Sequence, residues 1–274
     1  MSLFSVAARL EAQNQPFAIA QITECRGSTA RHSGQMLIAA DGSTTGTIGG
    51  GMMERRVIEQ ALEALQQQQS RMFYGRMTHE GPDAVGSDCG GAMSVFISVY
   101  GIRPRLILLG GGHVNQAMAY AAAPLGFVIY VVDTYAPNLE PHLFPAGTVL
   151  NQANSYTDAI RQLPLDHNSY VVIATNSQDR EALDEIINYP VGYLGLLASR
   201  RKAQKFVRAL QQQGVSDEQL TRLRSPIGFS IGAETPAEIA ISVLAEILQV
   251  KNNASGVLMH NKANSNTPDL AAVL

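Results

Sequence analysis

The stretch that decides the fold is Leu106-Ile107-Leu108-Leu109-Gly110-Gly111-Gly112-His113-Val114-Asn115. Four large apolar residues read as a buried strand. Three glycines follow, and helical spacing begins after them. A strand that runs into a glycine cluster and then a helix lets the backbone approach a phosphate at a helix N-terminus. That is the setting of a Rossmann-like domain. Its pattern expects an acidic residue at the end of the next strand, and Asp133 stands there, 23 residues after Gly110. Asn115 holds the position of the pattern's third glycine. Its side chain must either widen the gap between helix and strand or point away from it.

Outward from this stretch, strands and helices alternate. Arg105 to Leu109, Phe127 to Val132, Tyr170 to Ala174 and Gly192 to Leu197 read as strands. Asn115 to Ala123, Thr157 to Leu163, Arg180 to Ile187 and Ser199 to Gln213 read as helices. Such alternation implies a parallel sheet covered on both faces. A last helix opens at Thr235 with Pro236 at its first position and Glu238 completing a capping box. From Lys251 the pattern dissolves into an Asn-rich tail.

The preceding hundred residues read differently. Ser2 to Glu11 and Glu54 to Gln69 have helical spacing. Phe17 to Thr23, Met36 to Ala39, Thr44 to Ile48 and Met93 to Val99 read as strands, with Asp41-Gly42 as a hairpin turn. The expected organisation is therefore α/β. An N-terminal α+β domain over 1–100 precedes a Rossmann-like domain over 101–250 and a flexible tail over 251–274.

Composition narrows the function. With 20 Lys+Arg against 23 Asp+Glu, the net charge is −3, which argues against a general nucleic-acid binder. A hydrophobic content of 46% argues against disorder. Two cysteines, Cys25 and Cys89, make neither a disulfide framework nor a four-cysteine zinc site. No run approaches the roughly 20 apolar residues needed to cross a bilayer. The first residues lack the pattern of a signal peptide, so the expected location is the cytoplasm.

Several segments suit an anion. Gly110, Gly112 and His113 open one helix, with Asp133 expected beside them. Ser199 and Arg200, with Arg201 and Lys202, open another, where three cations oppose the helix dipole unless an anion offsets them. Arg26, Ser28 and Arg31 flank a small-residue turn. Gly49, Gly50 and Glu54 open a helix and form a second candidate anion nest. Cys89-Gly90-Gly91 ends a polar loop in which an exposed thiol is one reading and a packed small hydrophobe the other. No Ser–His–Asp set or pair of carboxylates suggests turnover.

In order along the chain, these motifs resemble the xanthine dehydrogenase accessory proteins, the XdhC/CoxI family. The resemblance rests on Gly27-Ser28-Thr29-Ala30-Arg31, Gly46-Thr47-Ile48-Gly49-Gly50-Gly51 with Glu54, and Cys89-Gly90-Gly91. It continues through Gly110-Gly111-Gly112-His113-Val114, Tyr193 to Lys202, and Pro226-Ile227-Gly228 leading to Thr235-Pro236-Ala237-Glu238. It implies a chaperone that binds the molybdenum cofactor, a pterin phosphate with a dithiolene-bound metal. Such a chaperone protects the cofactor during sulfuration by a cysteine desulfurase. It then inserts it into a molybdenum hydroxylase such as xanthine dehydrogenase. It also implies Cys89 as a thiol contact to the molybdenum, and makes a homodimer plausible. A non-catalytic maturation factor is the leading expectation. The alternatives are an NAD(P)-dependent oxidoreductase using Gly110–Gly112 and Asp133, and a regulatory protein that binds a nucleotide without chemistry.

Overall fold

The computed structural model describes residues 2–29, 31–81, 83–86 and 90–261. Cys89 lies outside them, as do residues 262–274 of the expected tail. The chain divides into two compact units, Met1–Ile102 and Arg103–Leu274.

The first unit contains α1 (Leu3–Ala12), β1 (Phe17–Arg26), β2 (Gln35–Ala39), β3 (Thr44–Thr47), α2 (Gly51–Gln67), β4 (Arg71–Arg76) and β5 (Ala92–Tyr100). Its sheet has the order β3-β2-β1-β5-β4, and every pairing is antiparallel. The two faces follow the period of two. Met36 and Ile38 join Met53, Val57, Ala61 and Ala64 of α2 in one core. Leu37, between them, packs with Val6 and Leu10 of α1. Strand β4 escapes the sequence reading. Its residues alternate buried or half-buried with exposed, but Arg71, Gly75 and Arg76 break the apolar pattern that signals a strand.

The second unit contains β6 (Arg105–Leu109), α3 (His113–Ala122), β7 (Val128–Asp133), β8 (Val149–Gln152), α4 (Tyr156–Gln162) and β9 (Ser169–Ile173). It continues with α5 (Asp179–Ile186), β10 (Tyr193–Leu196), α6 (Arg200–Gln212), α7 (Asp217–Thr221), β11 (Leu223–Arg224) and α8 (Pro236–Lys251). All six strands are parallel, in the order β11-β10-β9-β6-β7-β8. Leu106 and Leu108 face a core shared with α3 and α8. Ile107 and Leu109 face the opposite core, shared with α4, α5 and α6. A strand buried on both faces explains the unbroken apolar run before Gly110. The order is that of a Rossmann fold, with its reversal between β6 and β9.

Candidate functional site

Chain order reverses between β6 and β9. From β6 the chain proceeds to β7 and β8 on one side. From β9 it proceeds to β10 and β11 on the other. Ligands of open parallel sheets bind outside the carboxyl ends of the strands at such a reversal. A crevice of about 390 Å³ lies there. Gly112, His113, Val114 and Asn115 line it from the start of α3, Ala174, Asn176 and Asp179 from the segment after β9, and Leu197 and Lys202 from the segment after β10.

The backbone requirement is sharpest at Gly110. Its φ is +104°, and a Cβ there would stand 2.2 Å from the Ala174 carbonyl oxygen. Glycine lets β6 turn out beside the end of β9. Gly112 then serves as the N-cap of α3 without a side chain to cap it, and the first turn of α3 has no acidic residue. No atom lies within 4 Å of where a Gly112 Cβ would be. The N-terminus of α3 therefore offers uncapped N–H donors to the crevice.

Two cation positions differ. Lys202 donates to Asp179 Oδ2 at 2.5 Å. The Asp179 side chain is 3% exposed, and it also accepts from the Thr175 N–H and hydroxyl. Burial opposes charge on this carboxyl, but the bonds from Lys202 and Thr175 outweigh it and hold its pKa below the ordinary value. Arg200, by contrast, is exposed and lines a separate groove with Ala203, Val207 and Pro226. Ser199 is the N-cap of α6 and accepts from the Lys202 N–H. His113 lines the crevice with an exposed side chain.

Asp133 is engaged by the protein itself. One oxygen accepts from the Gly111 N–H at 2.6 Å and from the Asn138 amide at 3.0 Å. The other accepts from the Tyr135 N–H at 2.8 Å. The residue is 6% exposed. The 3₁₀ turn Ala136–Leu139 lies over Gly111, where an added Cβ would meet the Asn138 carbonyl oxygen at 2.3 Å. Asn115 does not point away from the strand. It is 1% exposed, and its amide nitrogen donates to the carbonyls of Leu109 and Gly110 at 3.2 and 2.7 Å.

The first unit gathers a second set of residues. The Glu54 carboxylate reaches back over the start of its own helix. Its Oε2 accepts from the Thr47 hydroxyl at 2.5 Å and from the Ile48 and Gly50 N–H groups at 3.1 and 3.0 Å. Burial would raise this carboxyl, but those bonds win and hold it below its ordinary range. The Gly49–Gly51 nest is thus filled by a side chain from the first turn of α2. Arg26 is paired with Glu24 at 2.9 Å and is exposed. Gly91 packs against the Ser28 carbonyl, which an added Cβ would meet at 2.2 Å. The Arg31 carbonyl accepts from Cys25 Sγ and the Thr29 hydroxyl. Cys89, the residue before Gly90-Gly91, lies outside the described residues.

Sequence reading missed the Lys202–Asp179 pair and the engagement of Asn115. The signals were present: an acid at the start of the helix after β9, and a polar residue where close packing expects glycine. Among the described residues no group of three His, Cys, Asp or Glu could hold a metal ion. Among them, no helix is long and apolar enough to cross a membrane.

Comparison with known proteins gives consistent matches. Residues 106–247 match the family model described as the XdhC Rossmann domain, and residues 10–75 match that of the XdhC and CoxI family. The uncharacterized protein YqeB of Escherichia coli K12 is 59% identical over 273 residues, spanning 100% of this chain and 50% of that protein. A probable xanthine dehydrogenase subunit of Bacillus subtilis 168 is 30% identical over 165 residues, 60% of this chain and 48% of its own length. The molybdenum cofactor insertion chaperone PaoD of E. coli K12 is 28% identical over 155 residues, 55% of this chain and 42% of its own length. The chain thus spans about half the length of the curated relatives it matches. A crystal structure of a xanthine dehydrogenase from Bacillus halodurans shares the fold, with a TM-score of 0.51, 22% identity and 98% coverage of each chain.

Proposed function

The chain belongs to the XdhC and CoxI family, and from that premise we propose that it binds the molybdenum cofactor and serves the maturation of a molybdenum hydroxylase such as a xanthine dehydrogenase. The observation that carries this reading is the crevice at the reversal between β6 and β9. It presents the uncapped start of α3, which suits the phosphate end of a pterin phosphate. The cofactor is cargo here. Gly112 and His113 hold its anionic end by hydrogen bonds, Lys202 borders it as the cation of its pair with Asp179, and Gly110 keeps the backbone turn that leaves α3 open. In the first unit, Gly91, two places after Cys89, packs against the Ser28 carbonyl. On the family resemblance alone we propose the thiol of Cys89 as a contact to molybdenum. The finer steps, protection during sulfuration by a cysteine desulfurase and transfer to the client, belong to the same proposal.

The test is to purify the chain from molybdate-grown cells and assay pterin and molybdenum. Both are expected with the wild-type chain, with less molybdenum retained by Cys89→Ser. A folded chain carrying neither would overturn the reading.

A further inference from the structure

One helix has a charge balance unlike the rest of the chain. Helix α6 contains Arg200, Arg201, Lys202, Lys205 and Arg208 and no acidic residue, while the whole chain has 20 Lys+Arg against 23 Asp+Glu. Three of those cations stand in its first turn, where they oppose the positive end of the helix dipole. Lys202 is answered by Asp179. Arg200, Arg201, Lys205 and Arg208 have no hydrogen bond or ion pair among the described residues. Elsewhere in this unit, Arg105, Arg161, Arg180 and Arg224 each pair with a carboxylate.

Two of the unanswered arginines border a groove of about 530 Å³. Arg200, Ala203, Val207 and Arg208 line it at helical spacing, hence from one face of α6. Leu223, Ser225 and Pro226 line it from β11 and the residues after it. β11 ends the order of its sheet, so among the described residues its outer side pairs with no strand. Phe206 packs on the core, whereas Val207, the next residue, is half-buried and lines the groove. Eight residues of helix set Arg200 and Arg208 about 12 Å apart along its axis. The groove therefore joins an apolar lining to two free cations. A nucleic-acid backbone presents evenly spaced charge without apolar side chains, and the chain's net charge of −3 opposes an anionic membrane. A protein segment presents carboxylates and apolar side chains together.

We infer that the groove between α6 and β11 docks an acidic segment of a partner protein. Arg200 and Arg208 take its carboxylates, which the planar guanidinium fork suits. Val207, Leu223 and Pro226 take its apolar side chains. Exposed charge pairs set the rate of encounter and the choice of partner more than the affinity, so the contact is selective and readily released. The inference stands apart from the cofactor reading, because the groove and the crevice share no lining residue.

The full chain is titrated, by amide NMR, with a blocked peptide of alternating glutamate and alanine, and with its counterpart in which lysine replaces every glutamate. The acidic peptide should shift the resonances of residues 200–211 and 223–225, and the basic one should not. Arg200→Gln together with Arg208→Gln should weaken the acidic peptide about fivefold, the effect of two exposed ion pairs. The double variant should melt no lower than wild type, because neither arginine is bonded within the chain and Arg200 opposes the dipole of its helix. A lower melt overturns the premise that these side chains are unanswered. No binding at millimolar acidic peptide overturns the inference. So does binding that leaves the groove resonances in place, or that the double variant retains in full. A DNA duplex and phosphatidylglycerol vesicles are titrated separately at physiological salt. Either one engaging the groove more tightly than the peptide overturns the protein partner. The pterin and molybdenum content of the preparation bears on the proposed function alone.

Discussion

Two glycine clusters precede helices in this chain, and one residue separates their fates. After Gly49-Gly50-Gly51 the first turn of α2 contains Glu54, whose carboxylate folds back onto the N–H groups of the loop. After Gly110-Gly111-Gly112 the first turn of α3 contains no acid, and its N-terminus stays open. A carboxylate within one turn of a glycine nest is the cheaper anion, because it is already tethered. The distinction has a measurable pH signature. The Glu54 carboxyl sits below its ordinary pKa in the folded chain. As pH falls, the unfolded chain takes up that proton first. The stabilisation is therefore complete above about pH 5 and is lost as pH drops through the lowered folded value. Glu54→Gln should cost about 1–2 kcal/mol near neutral pH, the scale of a charged hydrogen bond. The gap to wild type in thermal melts should close toward pH 3. A gap independent of pH would show that the charge at Glu54 is not what holds the loop.

At the scale of elements, the local signals were the readable ones. The capping box at α8 was visible because all its parts lie within four residues, and the structure has it complete: Thr235 accepts from the Glu238 N–H, and Glu238 accepts from the Thr235 N–H. The parallel sheet was visible because β6 is apolar on both faces. What stayed hidden is what depends on residues far apart. The short strands β8 and β11 have four and two residues, too few to show a period, and exist because neighbours pair with them. The asparagine in place of glycine at 115 was readable as a departure, but its outcome depended on the carbonyls of Leu109 and Gly110. The ion pair of Lys202 and Asp179 spans 23 residues and joins the starts of two helices. Helix α8 matters because Ala240, Val243, Leu244 and Ile247 share a core with Met118, Ala119 and Ala122 of α3. Its start therefore helps hold the element that opens the crevice. Thr235→Ala removes the N-cap oxygen and should cost about 1 kcal/mol, lowering the melting temperature by about 2–4 °C. An unchanged melt would mean that the cap is replaced by water without loss.

At the scale of the whole molecule, apolar burial is divided along the same line as the chain. Two core clusters contain residues of Met1–Ile102 alone, and the other two contain residues of Arg103–Leu274 alone. Each unit closes its own sheet and covers it with its own helices, which is the condition for folding alone. The first unit, at about 100 residues, is near the common domain size, and the second is larger. Expressed separately, 1–102 and 103–274 should each melt cooperatively. A broad, non-cooperative melt of either fragment would mean that the two cores depend on each other, whatever their separation in sequence. If both fragments melt cooperatively but below the full chain, each core is sufficient for its own fold and gains stability from being joined to the other.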